Sequence, residues 1–305
     1  MIELPAPALP SWIARRFPPG VRRYRVDIGG LAMHVVERGQ GRPVLLLHGN
    51  PTWSFLWRKV AALLPPDRFR VIMPDLVGLG LSDKPRAMEA HTLAAHAGWM
   101  GALVDRLALD DMIVGVQDWG GAIGFAAMAE GDRARRVRGL VVLNTAIGPP
   151  KKDFRPSAFH RFARLPLVSE LAFRGLGFPQ IALGMAQGDR ASIGPLETAA
   201  YIWPLRRLRD RTAPLAMARM VPDSLAHASI PALEASQRFV DGFTGPAAIV
   251  WGDRDPVLGR VRTWVEKRLP QARVTCTRAG HFLQEEVPAE IADGIVYVAE
   301  ALARS

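Results

Sequence analysis

Five short apolar runs, at residues 43–47, 69–73, 112–116, 139–143 and 247–251, set the terms for this chain. None alternates with polar residues, so each reads as a strand covered on both faces. Helical patterns at 92–107, 121–130, 261–268 and 288–303 fall between and after them, and 272–277 reads as one more strand. Strands alternating with helices predict an α/β fold, a mostly parallel sheet with helices on both faces. Two earlier strands, 24–28 and 31–36, meet at Gly29-Gly30, which reads as a hairpin turn. The alternation stops between 147 and 222, a stretch rich in Pro, Gly, Arg and Phe. It is expected to be an inserted helical cap over the carboxyl edge of the sheet. The core is then 1–146 together with 223–305.

With 305 residues, 49% of them hydrophobic, the chain can bury a large core. Its net charge of +10 comes in part from Arg133-Ala134-Arg135-Arg136 and Arg206-Arg207-Leu208-Arg209. No interleaved aromatics or zinc-ligand spacing accompany that charge, so a solvated basic face is expected rather than a nucleic-acid surface. No apolar run is long enough to cross a membrane, and the proline-rich first twenty residues lack the apolar centre of a secretion signal. A cytoplasmic protein without membrane insertion is the expectation. The single cysteine, Cys276, lies in a strand-like run and is expected to be a packed thiol. No cofactor fingerprint or metal site is apparent. The glycines of Pro74-Asp75-Leu76-Val77-Gly78-Leu79-Gly80 read as a structural turn, since no phosphate-loop pattern surrounds them.

The run Gly115-Val116-Gln117-Asp118-Trp119-Gly120-Gly121 joins the strand at 112–116 to a helix. Many hydrolases hold a serine nucleophile at such an elbow. Asp118 stands there instead. A carboxylate displaces a leaving group from saturated carbon to form an ester, which is alkyl rather than acyl chemistry. The elbow pattern also asks for Gly two residues before the nucleophile, where this chain has Val116. An aspartate in this place is otherwise a helix cap.

His281, after the last strand, is the candidate base, because an imidazole titrates near neutrality. Asp255, in Trp251-Gly252-Asp253-Arg254-Asp255-Pro256, is the candidate acid that orients it, with Asp253 as rival. Asn50, in His48-Gly49-Asn50-Pro51, and Trp119 each carry a neutral N–H for a departing halide. Backbone N–H groups beside them suit the oxyanion of an ester intermediate. His48 reads as structural, and His34, His91, His96, His160 and His227 as surface or packing residues.

These segments together resemble the haloalkane dehalogenases of the α/β-hydrolase superfamily. The resemblance rests on His48-Gly49-Asn50-Pro51-Thr52-Trp53-Ser54, on Asp75 to Pro85, on Val116-Gln117-Asp118-Trp119-Gly120-Gly121, on Ala213 to Pro222 and on Ala279 to Glu285. It implies that Asp118 attacks the halogen-bearing carbon, that Trp119 and Asn50 hold the halide, and that His281, oriented by Asp255, activates water. Some members carry their acid after the earlier strand, where this chain has Asn144. Another subgroup uses a second cap tryptophan, and Trp203 occupies a position open to that role. The partners implied are a small apolar halogenated substrate, water and a halide ion. Epoxide hydrolases need cap tyrosines, of which only Tyr201 is present. A β-lactone decarboxylase of olefin biosynthesis would share the same residue set. A ligand receptor on a hydrolase scaffold would not need all of it.

Overall fold

The computed structural model describes residues 3–151 and 156–304, so part of the inserted stretch, 152–155, lies outside the described residues. Nine strands form one sheet in the order β1-β2-β3-β5-β4-β6-β7-β8-β9. They are β1 (Glu3–Pro5), β2 (Val21–Asp27), β3 (Ala32–Arg38), β4 (Arg42–Leu47), β5 (Phe69–Pro74), β6 (Met112–Gln117), β7 (Val137–Leu143), β8 (Ala247–Gly252) and β9 (Arg273–Thr277). From β5 to β9 every pairing is parallel, whereas β1, β2 and β3 run antiparallel to their neighbours. The apolar runs account for this. All six residues of β6 and of β8 are buried, as strands between two helical layers must be. The hairpin forms at Gly29-Gly30, both at positive φ, with their N–H groups donating to Asp27 Oδ1.

One helical layer contains Leu93–Arg106, Trp119–Met128 and Ile230–Asp241, packed on one another. The other contains Arg58–Leu63 and Pro288–Arg304. Two apolar clusters, one per face of the sheet, result. Each buried Val, Leu, Ile or Phe in them contributes roughly 1.5–3 kcal/mol by leaving water. Thr92 caps the first of these helices by accepting from Ala95 N. The helix Ile230–Asp241 goes beyond the elements expected above. Its buried face includes Ile230, Leu233 and Phe239, and Pro231 sits in the first turn, where a missing N–H is harmless.

Cys276 is exposed, which corrects the expectation of a packed thiol. The cause is topological. β9 is one of the two edge strands, paired on one side alone, and its Val274–Cys276 face is open, with Val274 40% exposed. Strand-like sequence does not by itself say whether a helix covers the strand.

The sheet order reverses between β4 and β6: β4 leads outward to β5, and β6 returns to its other side. Ligands of open α/β sheets bind beyond the carboxyl ends of the strands at such a switch. Here those ends carry the His48–Asn50 turn and Asp118. Between 156 and 222 the chain makes only short elements, including Ala158–Phe162, Pro195–Ile202 and Thr212–Arg219. Among the described residues, no helix is long and apolar enough to cross a membrane.

Candidate active site

Asp118 takes φ +52° and ψ −127°, a backbone region that non-glycine residues avoid at a cost of about 1–3 kcal/mol. Three hydrogen bonds hold it there. Its N–H donates to Asn144 O at 3.0 Å, and its carbonyl accepts from Thr145 Oγ1 at 2.6 Å and from Gly121 N at 3.1 Å. The strained turn lifts the side chain off the sheet. It makes no capping bond to the helix it precedes, so helix capping does not explain an aspartate here. Instead Oδ1 accepts from Asn50 N at 2.8 Å, and Oδ2 lies 3.5 Å from His281 Nε2. Gly49 makes this approach possible, because a Cβ on it would collide with the Asp118 carboxylate. Val116 stands where a glycine was anticipated and is fully buried, and Gly124 on the following helix leaves space for Leu47.

His281 Nδ1 is 2.8 Å from Asp255 Oδ2. Asp255 is buried and tied twice more: Oδ2 accepts from Asn144 Nδ2 at 2.7 Å, and Oδ1 accepts from Val257 N at 2.7 Å. Asp253, the rival acid, is exposed and pairs with Arg262 at 3.1 Å. Burial pulls the His281 imidazole toward neutrality. The carboxylates of Asp255 and Asp118 outweigh it and push the pKa up from 6.5 to about 10. Burial likewise opposes ionisation of Asp255, but His281 and the amide of Asn144 hold its pKa below the ordinary value. Both carboxylates thus favour the protonated imidazole, with Nδ1 bonded to Asp255 and Nε2 facing Asp118.

The structure thus brings Asp118, His281 and Asp255 together from the ends of β6, β8 and β9. Trp119 stands beside them, partly buried, and its indole N–H has no protein acceptor among the described residues. Asn50 is placed differently. Its backbone N–H serves Asp118, while its side-chain Nδ2 donates to Pro214 O at 3.0 Å. Trp203 packs against the apolar cluster on the other face of the sheet, under the Arg206 guanidinium. Tyr201 is buried and donates to Glu285 Oε1 at 2.6 Å, beside Arg58 and Lys59. A tyrosine so occupied is not available to protonate an opening epoxide. His48 is structural: Nε2 accepts from Leu76 N at 3.0 Å, so Nδ1–H donates to Gly49 O at 2.9 Å. Complete burial holds it neutral.

Three side chains matter that the sequence reading left aside. Asn144 joins β7 to β8, with Oδ1 accepting from Gly252 N at 2.8 Å, while its Nδ2 reaches Asp255. Gln117 Nε2 donates to His281 O at 3.0 Å and ties the histidine loop to β6. Their position at strand ends beside Asp118 was the available signal. The third is His160. It lines a cavity of about 780 Å³ that also contains Asp118 and Trp119. Its ring also packs on Phe159, as a surface or packing residue was expected to do. The signal was Ser157, three residues earlier, which caps the short helix Ala158–Phe162 and turns His160 inward.

The inserted stretch also grips the histidine loop. His281 N donates to Ala186 O at 2.8 Å, and Phe282 N donates to Gln187 Oε1 at 2.9 Å. Gly280 fits there only because a Cβ would strike Ala186 and Gln187. Apolar residues, among them Ile147, Val221, Pro222, Leu233 and Leu258, make up much of the remaining cavity wall.

The comparisons with known proteins give the family. The alpha/beta hydrolase fold family matches residues 42–288. A haloalkane dehalogenase of Mycobacterium marinum (strain ATCC BAA-535 / M) is 32% identical over 281 residues, covering 88% of this chain and 89% of that protein. Haloalkane dehalogenase 2 of Mycobacterium tuberculosis (strain ATCC 25618 / H37Rv) is 34% identical over 268 residues, covering 87% and 90%. Among solved structures, haloalkane dehalogenase DbeA from Bradyrhizobium elkani USDA94 superposes with a TM-score of 0.83 at 28% identity, covering 93% of this chain and 100% of that one. By sequence, fold and the aspartate at its elbow, this chain belongs to the haloalkane dehalogenases of the α/β-hydrolase fold.

Proposed function

We propose that the chain hydrolyses haloalkanes to an alcohol and a halide through an ester on Asp118. The observation that carries this reading is the Asp118 carboxylate itself. It is free of helix capping, has one oxygen on a backbone N–H and the other beside His281, and opens into a largely apolar cavity with Trp119. In the first step Asp118 Oδ2 forms a bond to carbon as the carbon–halogen bond breaks. The negative charge leaves with the halide, which takes the Trp119 indole N–H and the remaining amide hydrogen of Asn50. Neutral donors release a halide more readily than a cation would.

Esterification removes one of the two carboxylates that hold the proton on His281. The imidazolium pKa falls, the proton departs, and Nε2 becomes the base that takes a proton from water. Water adds to the ester carbonyl, the oxyanion on Oδ1 rests on Asn50 N–H, and collapse releases the alcohol and restores Asp118. Asp255, itself held by Asn144, keeps the ring oriented through Nδ1. The balance is haloalkane plus water to alcohol, halide and one proton. We assign the core to 1–146 and 223–305 and the cap to 147–222, with a cytoplasmic location.

One observation favours a second reading. A cavity of about 780 Å³ is at the large end of the ~300–1,000 Å³ typical of small-molecule pockets. That suits long-chain substrates, including the β-lactones of olefin biosynthesis. The test is bromide release from a panel of bromoalkanes, run beside β-lactone turnover. Wild-type protein is expected to release bromide, and Asp118→Ala to fall by about a thousandfold or more. Lactone turnover without bromide release would select the second reading.

A further inference from the structure

His160 lines the same cavity as the elbow, half-buried on a helix of the inserted stretch. Ser157 Oγ accepts from the backbone N–H of His160 at 3.4 Å and lies 2.8 Å from His160 Nδ1. The Ser157 hydroxyl can donate to that Nδ1, which puts the ring hydrogen on Nε2. Nε2 has no protein partner among the described residues. Burial holds the ring neutral, with its pKa pushed down to about 4 even though the Asp118 charge, which reaches it, acts in the opposite sense. Phe159 packs edge-on against the ring, at 5.1 Å between centroids and 83° between planes, and limits its rotation.

That tautomer makes the ring a neutral N–H donor on the wall of the cavity that contains the nucleophile. Trp119, which lines the same cavity, supplies a donor of the same kind. Asn50, the other expected donor, already directs one amide hydrogen to Pro214. We propose that His160 Nε2–H is a further catalytic donor, bonding the leaving halide from the cap side as the carbon–halogen bond breaks. The inference rests on the alkyl-ester reading above, since only there does a halide depart into this cavity. Ser157 is the positioning residue that keeps the hydrogen on Nε2.

A donor to a leaving group has a signature that a packing residue lacks. Chloride is a poorer leaving group than iodide and needs more help from donors. The experiment compares kcat/KM for a chloroalkane and an iodoalkane of the same carbon skeleton in wild type, His160→Phe, His160→Gln and Ser157→Ala. His160→Phe is expected to lose about tenfold or more on the chloroalkane and clearly less on the iodoalkane. His160→Gln, which keeps an N–H, recovers part of the difference, and Ser157→Ala falls between. Equal losses on both substrates, or none, overturn the inference. Wild-type protein that releases neither halide and forms no ester in its His281→Gln variant fails the underlying reading instead. Thermal melts of each variant identify loss of folding. If His160→Phe does not fold, the Ser157→Ala comparison alone carries the test, and an unchanged chloride-to-iodide ratio there refutes the assignment.

Discussion

Asp118 and Asp255 hang from the ends of strands buried on both faces and His281 from the edge strand β9, and each is held by at least two hydrogen bonds or ion pairs. The stretch that faces them, from 156 to 222, is built otherwise. It is a chain of short helices around a small cluster of Phe159, Phe162, Phe173 and Phe178, with Leu167, Leu171 and Met185 standing in solvent. Long-range pairing makes the floor a rigid frame for bond breaking. The roof has its own small apolar cluster and also bonds down to the floor, through Ala186 and Gln187 to the histidine loop and through Pro214 to Asn50. The three residues proposed for the chemistry lie in the floor, and His160 is the one roof residue assigned a part in bond breaking.

The contrast is broken most directly by His281→Gln. Alkylation needs Asp118 and the halide donors, but hydrolysis needs the base. A single stoichiometric burst of halide is expected, followed by no turnover, with a mass increase equal to the alkyl group on the intact protein. Continued turnover would remove His281 from the role of base. A smaller effect is expected from Asn144→Ala, which takes an amide from the buried Asp255 and leaves the nucleophile alone. We expect roughly a tenfold loss of kcat with the ester accumulating at steady state, by analogy with other supporting hydrogen bonds. An unchanged kcat would show that Val257 N–H and the fold suffice to orient Asp255.

The mildest test concerns pH and stability. His281 has a pKa raised from 6.5 to about 10 by folding, so its ion pairs stabilise fully below about pH 6.5. That contribution declines as pH rises toward 10. The Asp255 contribution has the opposite sense, being present above the ordinary carboxylate range and lost in acid. The Tm difference between wild type and His281→Gln is expected to be largest near pH 6 and to shrink steadily toward pH 10. A difference independent of pH over that span would mean the pair carries no net charge coupling.

Much of the frame was legible before any coordinates. Continuous apolar runs at 43–47, 112–116 and 247–251 correspond to β4, β6 and β8 because a strand between two helical layers has no polar face to show. Asp118 was legible as an elbow residue because a tight turn between strand and helix leaves a local mark, glycines immediately after it. Cys276 misled for the same reason in reverse: an apolar strand pattern says nothing about being at the edge of the sheet.

What the chain order alone determined is local: which residues form strands, where the elbow falls, and which acids and imidazoles lie in loops at strand ends. Only the assembled sheet decided their partners. Asp253 and Asp255 sit two residues apart, yet one meets Arg262 in solvent and the other meets His281, 26 residues later, in the interior. Asn50 turned its amide to Pro214, 164 residues on, and His160 came into the cavity from a helix with no strand to mark it. Distances between loops so far apart in sequence depend on strand order and on how the inserted helices pack, and neither is written in any short stretch of residues.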